Sequence, residues 1–170
     1  WLAKMLYAGE DPRFIARRLV ILASEDIGNA DPRGLTMAVS AMQAAEFVGM
    51  PEARIILSQA TTYLATAPKS NSAYLAVDKA MEDVRTGRAL EVPERLKNKK
   101  LRSVDKRVDG KGDEYVYPHD YKGHFVDQDY LPTTMKYYEP GEEGYEATIK
   151  KRMESLDSMR DGAGRRKDGG

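Results

Sequence analysis

The residues best equipped for chemistry in this 170-residue chain are His119, Asp120 and His124, two imidazoles and a carboxylate in one short segment. Together they could ligate zinc, but a closed zinc site takes four ligands on a scaffold that fixes their directions. The surrounding segment has no helical period, and the chain contains no cysteine. The sequence therefore assigns no metal, and local turn hydrogen bonds are the expected role of His119 and Asp120. Ser24 is the serine nearest an acidic pair, Glu25 and Asp26, but G-x-S-x-G is absent and a Ser-His-Asp hydrolase has no support. Gly110-Lys111-Gly112 reads as a flexible turn, since G-x-x-x-x-G-K-[ST] and G-x-G-x-x-G are both missing. No catalytic set and no cofactor site is expected within these residues.

Charge offers a second kind of chemistry. Between Glu94 and Arg107, seven basic side chains (Arg95, Lys97, Lys99, Lys100, Arg102, Lys106 and Arg107) meet two acidic ones, a local net of +5. They are candidates for contact with nucleic-acid phosphates, which makes a stand-alone nucleic-acid-binding helical module using 95–107 the alternative function, with Tyr115 or Tyr117 close enough in sequence to stack on a base. A solvated charged helix neutralised by the next segment is the plainer reading. That segment, Asp109 to Ala147, sets three Lys against ten Asp or Glu and holds seven of the ten tyrosines. Over the whole chain 27 Lys and Arg cancel 27 Asp and Glu, so no global field draws it to DNA or an anionic membrane. With 41% hydrophobic and 32% charged residues, a modest core with much solvated surface is expected. The missing cysteines exclude disulfides and thiolate nucleophiles. No apolar run approaches the roughly 18 residues of a membrane span.

The elements that must position these groups are helices. Gly9 closes a first helix, and Asp11-Pro12 supplies an N-cap and a proline at the first position of a second, which carries Phe14, Ile15, Leu19 and Leu22. Asp31-Pro32 repeats the signal before Leu35, Ala38, Val39, Met42 and Ala45, a 3.6-residue pattern that Gly49 ends. Pro51 opens a fourth helix with Ile55, Ile56, Ala60, Tyr63, Leu64 and Ala67 facing inward, and Pro68 stops it. Ser70 or Asn71 caps a fifth through Leu75, Val77, Met81 and Val84, before Gly87. Beyond Pro93 the Tyr-rich stretch reads as an irregular arm laid over a surface, with short strands expected around Tyr115–Tyr117 and His124–Val126. A last helix is predicted from Glu143 to Met159. The fold class is all-α: an antiparallel helical array of residues 1–92, a basic stretch, arm and terminal helix over 93–159 packed on it, and a disordered tail at 160–170. The first residues already follow a helical pattern without an initiator Met or N-cap, so a longer parent protein is expected.

These segments resemble one family. Ala8-Gly9-Glu10-Asp11-Pro12, Ile15-Ala16-Arg17-Arg18-Leu19, Ala23-Ser24-Glu25-Asp26-Ile27-Gly28 and Ala30-Asp31-Pro32 occur in the order typical of the C-terminal part of the replication-associated recombination protein A family. Gly49-Met50-Pro51-Glu52, Tyr63-Leu64-Ala65 and Ala67-Pro68-Lys69-Ser70-Asn71 continue it, as do His119-Asp120-Tyr121, Tyr130-Leu131-Pro132 and Tyr138-Glu139-Pro140. These are AAA+ ATPases related to clamp-loader subunits and to the Werner helicase-interacting protein. The resemblance covers about residues 1–156 and departs from the family pattern at 95–107 and in the final ten residues. It implies a collar-like helical domain that forms a homotetramer, while ATP and Mg are used by an N-terminal module outside these residues. It also implies DNA-stimulated ATPase activity at stalled replication forks, a cytoplasmic, nucleoid-associated location, and single-strand-binding or other replication proteins as partners.

Assembly points to a surface. Phe14, Val20, Ile21, Phe47, Val48, Ile55, Ile56 and Leu57 give adjacent helices apolar residues on more than one side, more than a small array can hide. They are the predicted subunit contacts, with Arg17, Arg18, Glu25 and Asp26 as a polar rim. Glu25 and Asp26 sit near a helix C-terminus, where the macrodipole disfavours them. Either a fixed partner, Arg17, Arg18 or a neighbouring subunit, or a solvated turn accommodates them.

Overall fold

A computed structural model describes residues 1–88, 91–93, 96, 117–126, 128, 130, 131 and 135–164. Among the described residues the chain forms six α-helices and no strand: α1 (Leu2–Tyr7), α2 (Pro12–Leu22), α3 (Arg33–Val48), α4 (Ala53–Thr66), α5 (Ser72–Arg85) and α6 (Glu146–Gly164). The all-α expectation holds. The strand expected at His124–Val126 is instead a 3-10 turn, Lys122–His124, running into irregular backbone, while that around Tyr115 lies outside the described residues apart from Tyr117. Two compact units are present, Trp1–Ala80 with Tyr137–Arg152, and Met81–Lys136 with Met153–Gly170.

Local chemistry sets the helix starts. Asp11 Oδ1 accepts the Arg13 N–H at 2.8 Å with Pro12 at the first helical position, so one orphan donor at the start of α2 is satisfied and another is absent. Asp31 does the same for α3, accepting the Arg33 N–H at 3.2 Å. At the start of α5, Ser70 Oγ accepts the Ser72 N–H at 3.2 Å. The chain leaves α2 through a π-helical turn, Ala23–Ile27, and a 3-10 turn, Gly28–Ala30. That extra turn buries Ala23 and Ile27 and leaves Ser24, Glu25 and Asp26 in solvent. α6 begins at Glu146 and continues past Met159 to Gly164.

The core of the first unit joins α2, the π turn, α3 and α4 through Ile15, Ala16, Leu19, Ala23, Ile27, Ala38, Ala41, Ala45, Ala53, Leu57, Ala60 and Leu64. Alanine dominates it. Small side chains let helix axes approach closely, so the alanines take the lines of closest approach and larger neighbours are displaced to the flanks. This corrects the register expected for α4. Ala53, Leu57, Ala60 and Leu64 form its buried stripe, whereas Ile55 is 57% exposed and Ile56 only half-buried. On α3, Ala41 joins the buried line and Leu35 faces solvent; on α2, Phe14 is 41% exposed. The apolar residues Leu75, Val77, Met81 and Val84 of α5 are exposed.

Candidate assembly interface

Exposed apolar side chains of the first unit occur at several places, Trp1 and Tyr7 at the two ends of α1 and Phe47, Val48, Met50 and Ile55 at the α3–α4 corner among them. Gly49 N–H closes α3 on the Ala45 carbonyl at 3.0 Å, and the Gly49 carbonyl accepts the Ala53 N–H at 2.8 Å, so one residue ends a helix and begins the next. Phe47, Val48 and Met50 flank that pivot and project outward, and Ile55 follows on the first turn of α4. Phe47 is 91% exposed. Val20, Ile21 and Ile56 are half-buried at the core's margin, and Phe14 lies on the outer side of α2.

Leu57 does not belong to this surface. It is fully buried, because its position four residues after Ala53 and three before Ala60 places it on the inward stripe of α4. Arg17, Arg18, Glu25 and Asp26 are exposed. Among the described residues no ion pair joins either arginine to either acid. The candidate nucleic-acid contacts Arg95, Lys97, Lys99, Lys100, Arg102, Lys106 and Arg107 lie outside the described residues, as does Gly110-Lys111-Gly112. Among the described residues no group of three or more His, Cys, Asp or Glu is placed to hold a metal, and no helix is long and apolar enough to cross a membrane.

Sequence reasoning missed a buried carboxylate that ties the end of the arm to this unit. Glu146 is fully buried. Its Oε2 accepts from Ser70 Oγ and from the Gly141 N–H, each at 2.7 Å, and its Oε1 accepts from the Tyr138 hydroxyl at 2.9 Å. Tyr138 in turn accepts from Asn29 Nδ2 at 3.2 Å. Burial alone pushes the Glu146 carboxyl up, but the hydrogen bonds from Ser70, Gly141 and Tyr138 prevail and hold it below the ordinary glutamate range. Burial, together with the bond to Glu146, pushes the Tyr138 phenol up against the opposing effect of Asn29.

Close backbone approach completes this latch. The Tyr145 N–H donates to the Ala30 carbonyl at 2.8 Å, and a Cβ on Gly144, whose φ is +56°, would sit 2.1 Å from that same oxygen. A Cβ on Gly28, φ +50°, would sit 2.7 Å from the Ser70 carbonyl oxygen, while the Ser70 N–H donates to the Asp26 carbonyl at 2.8 Å. Beside it, buried Asp31 accepts from the Tyr63 hydroxyl at 2.6 Å and from Arg33 Nε at 3.1 Å. Burial pushes Asp31 up, but the bonds from Tyr63 and Arg33 outweigh it and lower its pKa, and the bond to Asp31 raises that of Tyr63. Among the described residues no buried side-chain polar atom lacks a partner. One signal lay in the sequence: Ser70, Asp31, Tyr63 and Tyr138 all fall in motifs that carried the family resemblance.

The chain is 46% identical over 159 residues to an uncharacterized AAA domain-containing protein of Mycobacterium tuberculosis, covering 92% of this chain and 35% of that protein. It is 42% identical over 160 residues to replication-associated recombination protein A of Bacillus subtilis, again 92% of this chain and 37% of the relative. The ATPase WRNIP1 of Dictyostelium discoideum is 39% identical over 137 residues, 80% of this chain and 15% of its own length. The chain thus spans little more than a third, at most, of these three relatives. The model of the family described as MgsA AAA+ ATPase C terminal matches residues 1–157. A match of that extent, with relatives this similar over nearly the whole helical chain, makes it a member of the MgsA AAA+ ATPase C-terminal family.

Proposed function

We propose that this chain is the oligomerisation module of an AAA+ DNA-dependent ATPase that acts in replication-fork maintenance, recombination and repair, and that it assembles as a homotetramer. One observation carries this reading: Phe47, Val48, Met50 and Ile55 stand exposed around the turn between α3 and α4. Large apolar side chains exposed close together in sequence fit a surface that another protein covers, and a copy of the same chain is the simplest cover. Phe14, Val20, Ile21 and Ile56 extend it, with Arg17, Arg18, Glu25 and Asp26 at the rim. In the whole protein ATP and Mg bind in an AAA+ module outside these residues. DNA and replication proteins, single-strand-binding protein among them, engage the assembly at stalled forks in the cytoplasm, near the nucleoid.

Light scattering on the 170-residue chain tests the reading. A tetramer is expected, reduced to monomer by Phe47→Asp or Ile55→Asp with helicity retained. A wild-type monomer, or a tetramer indifferent to both substitutions, overturns this placement of the interface.

A further inference from the structure

The second unit brings His119 and His124 together. Pro118–Asp120 and Lys122–His124 are consecutive 3-10 turns joined by extended Tyr121, and the second ends in two successive left-handed residues, Gly123 at φ +75° and His124 at φ +53°. A non-glycine residue at positive φ is uncommon and is held there by its surroundings. The two turns set the Nδ1 atoms of the two rings 3.3 Å apart, with ring centroids at 4.9 Å and planes inclined by 53°. Tyr117 packs against His119, centroids 5.1 Å apart, on the other side of the pair. Both imidazoles are exposed, so a hydrated ion has access.

We infer that His119 and His124 form a bidentate site for a divalent transition-metal ion of the zinc class, the two Nδ1 atoms acting as ligands. The spacing supports it. Nitrogens bound at about 2.0–2.1 Å to one tetrahedral ion lie about 3.3 Å apart, with ring centroids separated by about 5 Å. Both distances are met before any ion arrives; the imidazole that donates the shared hydrogen bond shifts its proton from Nδ1 to Nε2 through solvent, so that both neutral rings offer an Nδ1 lone pair and two metal–nitrogen bonds replace the one hydrogen bond. Two neutral imidazoles select zinc, nickel or copper over magnesium or calcium, which prefer oxygen. With two protein ligands the remaining positions stay open to solvent, so this is an exchangeable site and not a structural zinc that holds the fold. Sequence reasoning set the pair aside because it sought four ligands; the turn supplies a chelate with two.

Isothermal titration of zinc chloride into the untagged chain, with magnesium chloride as the comparison, tests the site. The expected result is one zinc per chain, no heat from magnesium, and a loss of affinity of roughly tenfold or more in either His119→Ala or His124→Ala, since a chelate fails when either arm is lost. Circular dichroism of both variants should match the parent because both side chains are exposed. No zinc binding up to millimolar metal overturns the inference, as does full affinity in either variant. A stoichiometry of one zinc per two chains also overturns it, by showing that the ion bridges molecules.

Discussion

Ser70 and Glu146, 76 residues apart in sequence, are joined by a hydrogen bond of 2.7 Å that closes the first unit on a buried carboxylate. Glu146→Ala removes the common acceptor of Ser70, Tyr138 and the Gly141 N–H, leaving three donors to be rehydrated or orphaned. Each such group costs about 1–3 kcal/mol. A destabilisation of about 3 kcal/mol or more is therefore expected by urea denaturation of the variant. Tyr138→Phe, which removes one donor to the charge together with the acceptor of the half-buried Asn29 amide, should cost about 1.5–3 kcal/mol.

This node also shows where sequence reasoning stops. The starts at Asp11 and Asp31 and the stop at Gly49 were legible because each depends on residues within one turn of the boundary. The rotation of α4 was not, because Ile55 and Leu57 are equally apolar and only the surfaces of α2 and α3 decide which is buried. Glu146 was illegible for a related reason. A glutamate near the start of a helix is unremarkable until residues from Asn29 to Gly141 converge on it. The apolar corner was legible in outline, through Phe47, Val48 and Ile55, while its limits depended on that same rotation.

Acid should weaken the fold in a way that can be assigned. Glu146 and Asp31 both have lowered pKa values in the folded chain, against about 4.3 and 3.9 when unfolded. The unfolded chain then binds more protons in acid, so this stability is fully present above about pH 5 and is lost as pH falls through the folded values. Chemical denaturation from pH 7 to pH 3 should show a falling midpoint, and Glu146→Gln should be less stable at pH 7 yet show a shallower fall.

Gly144 tests the backbone contact alone. An alanine there would place its Cβ 2.1 Å from the Ala30 carbonyl oxygen and 2.8 Å from Pro68 Cγ, at a φ that L-residues avoid. The chain must move away, breaking the Tyr145 N–H bond to Ala30. Hydrogen exchange of Gly144→Ala should show faster exchange at Tyr145 and Gly141, with amides of α3 and α4 little changed. Unchanged protection at Tyr145 would show that the latch does not depend on this approach.

Leu57 and Phe47 should separate folding from assembly. Leu57 is enclosed by the core that α2, α3 and α4 share, so Leu57→Ala leaves a cavity and should cost about 2–5 kcal/mol whatever the protein concentration. Phe47 is almost wholly exposed in the single chain, and Phe47→Ala removes little that the folded unit buries. Its intrinsic effect should stay within about 0.5 kcal/mol. If the corner is the subunit contact, however, the folded state gains stability from association, and the wild-type melting temperature rises with protein concentration. Melting curves over a hundredfold concentration range should then show that dependence in the wild type and in Leu57→Ala, offset to lower temperature, and its loss in Phe47→Ala. A concentration-independent wild type, or an undiminished slope in Phe47→Ala, would remove Phe47 from the interface.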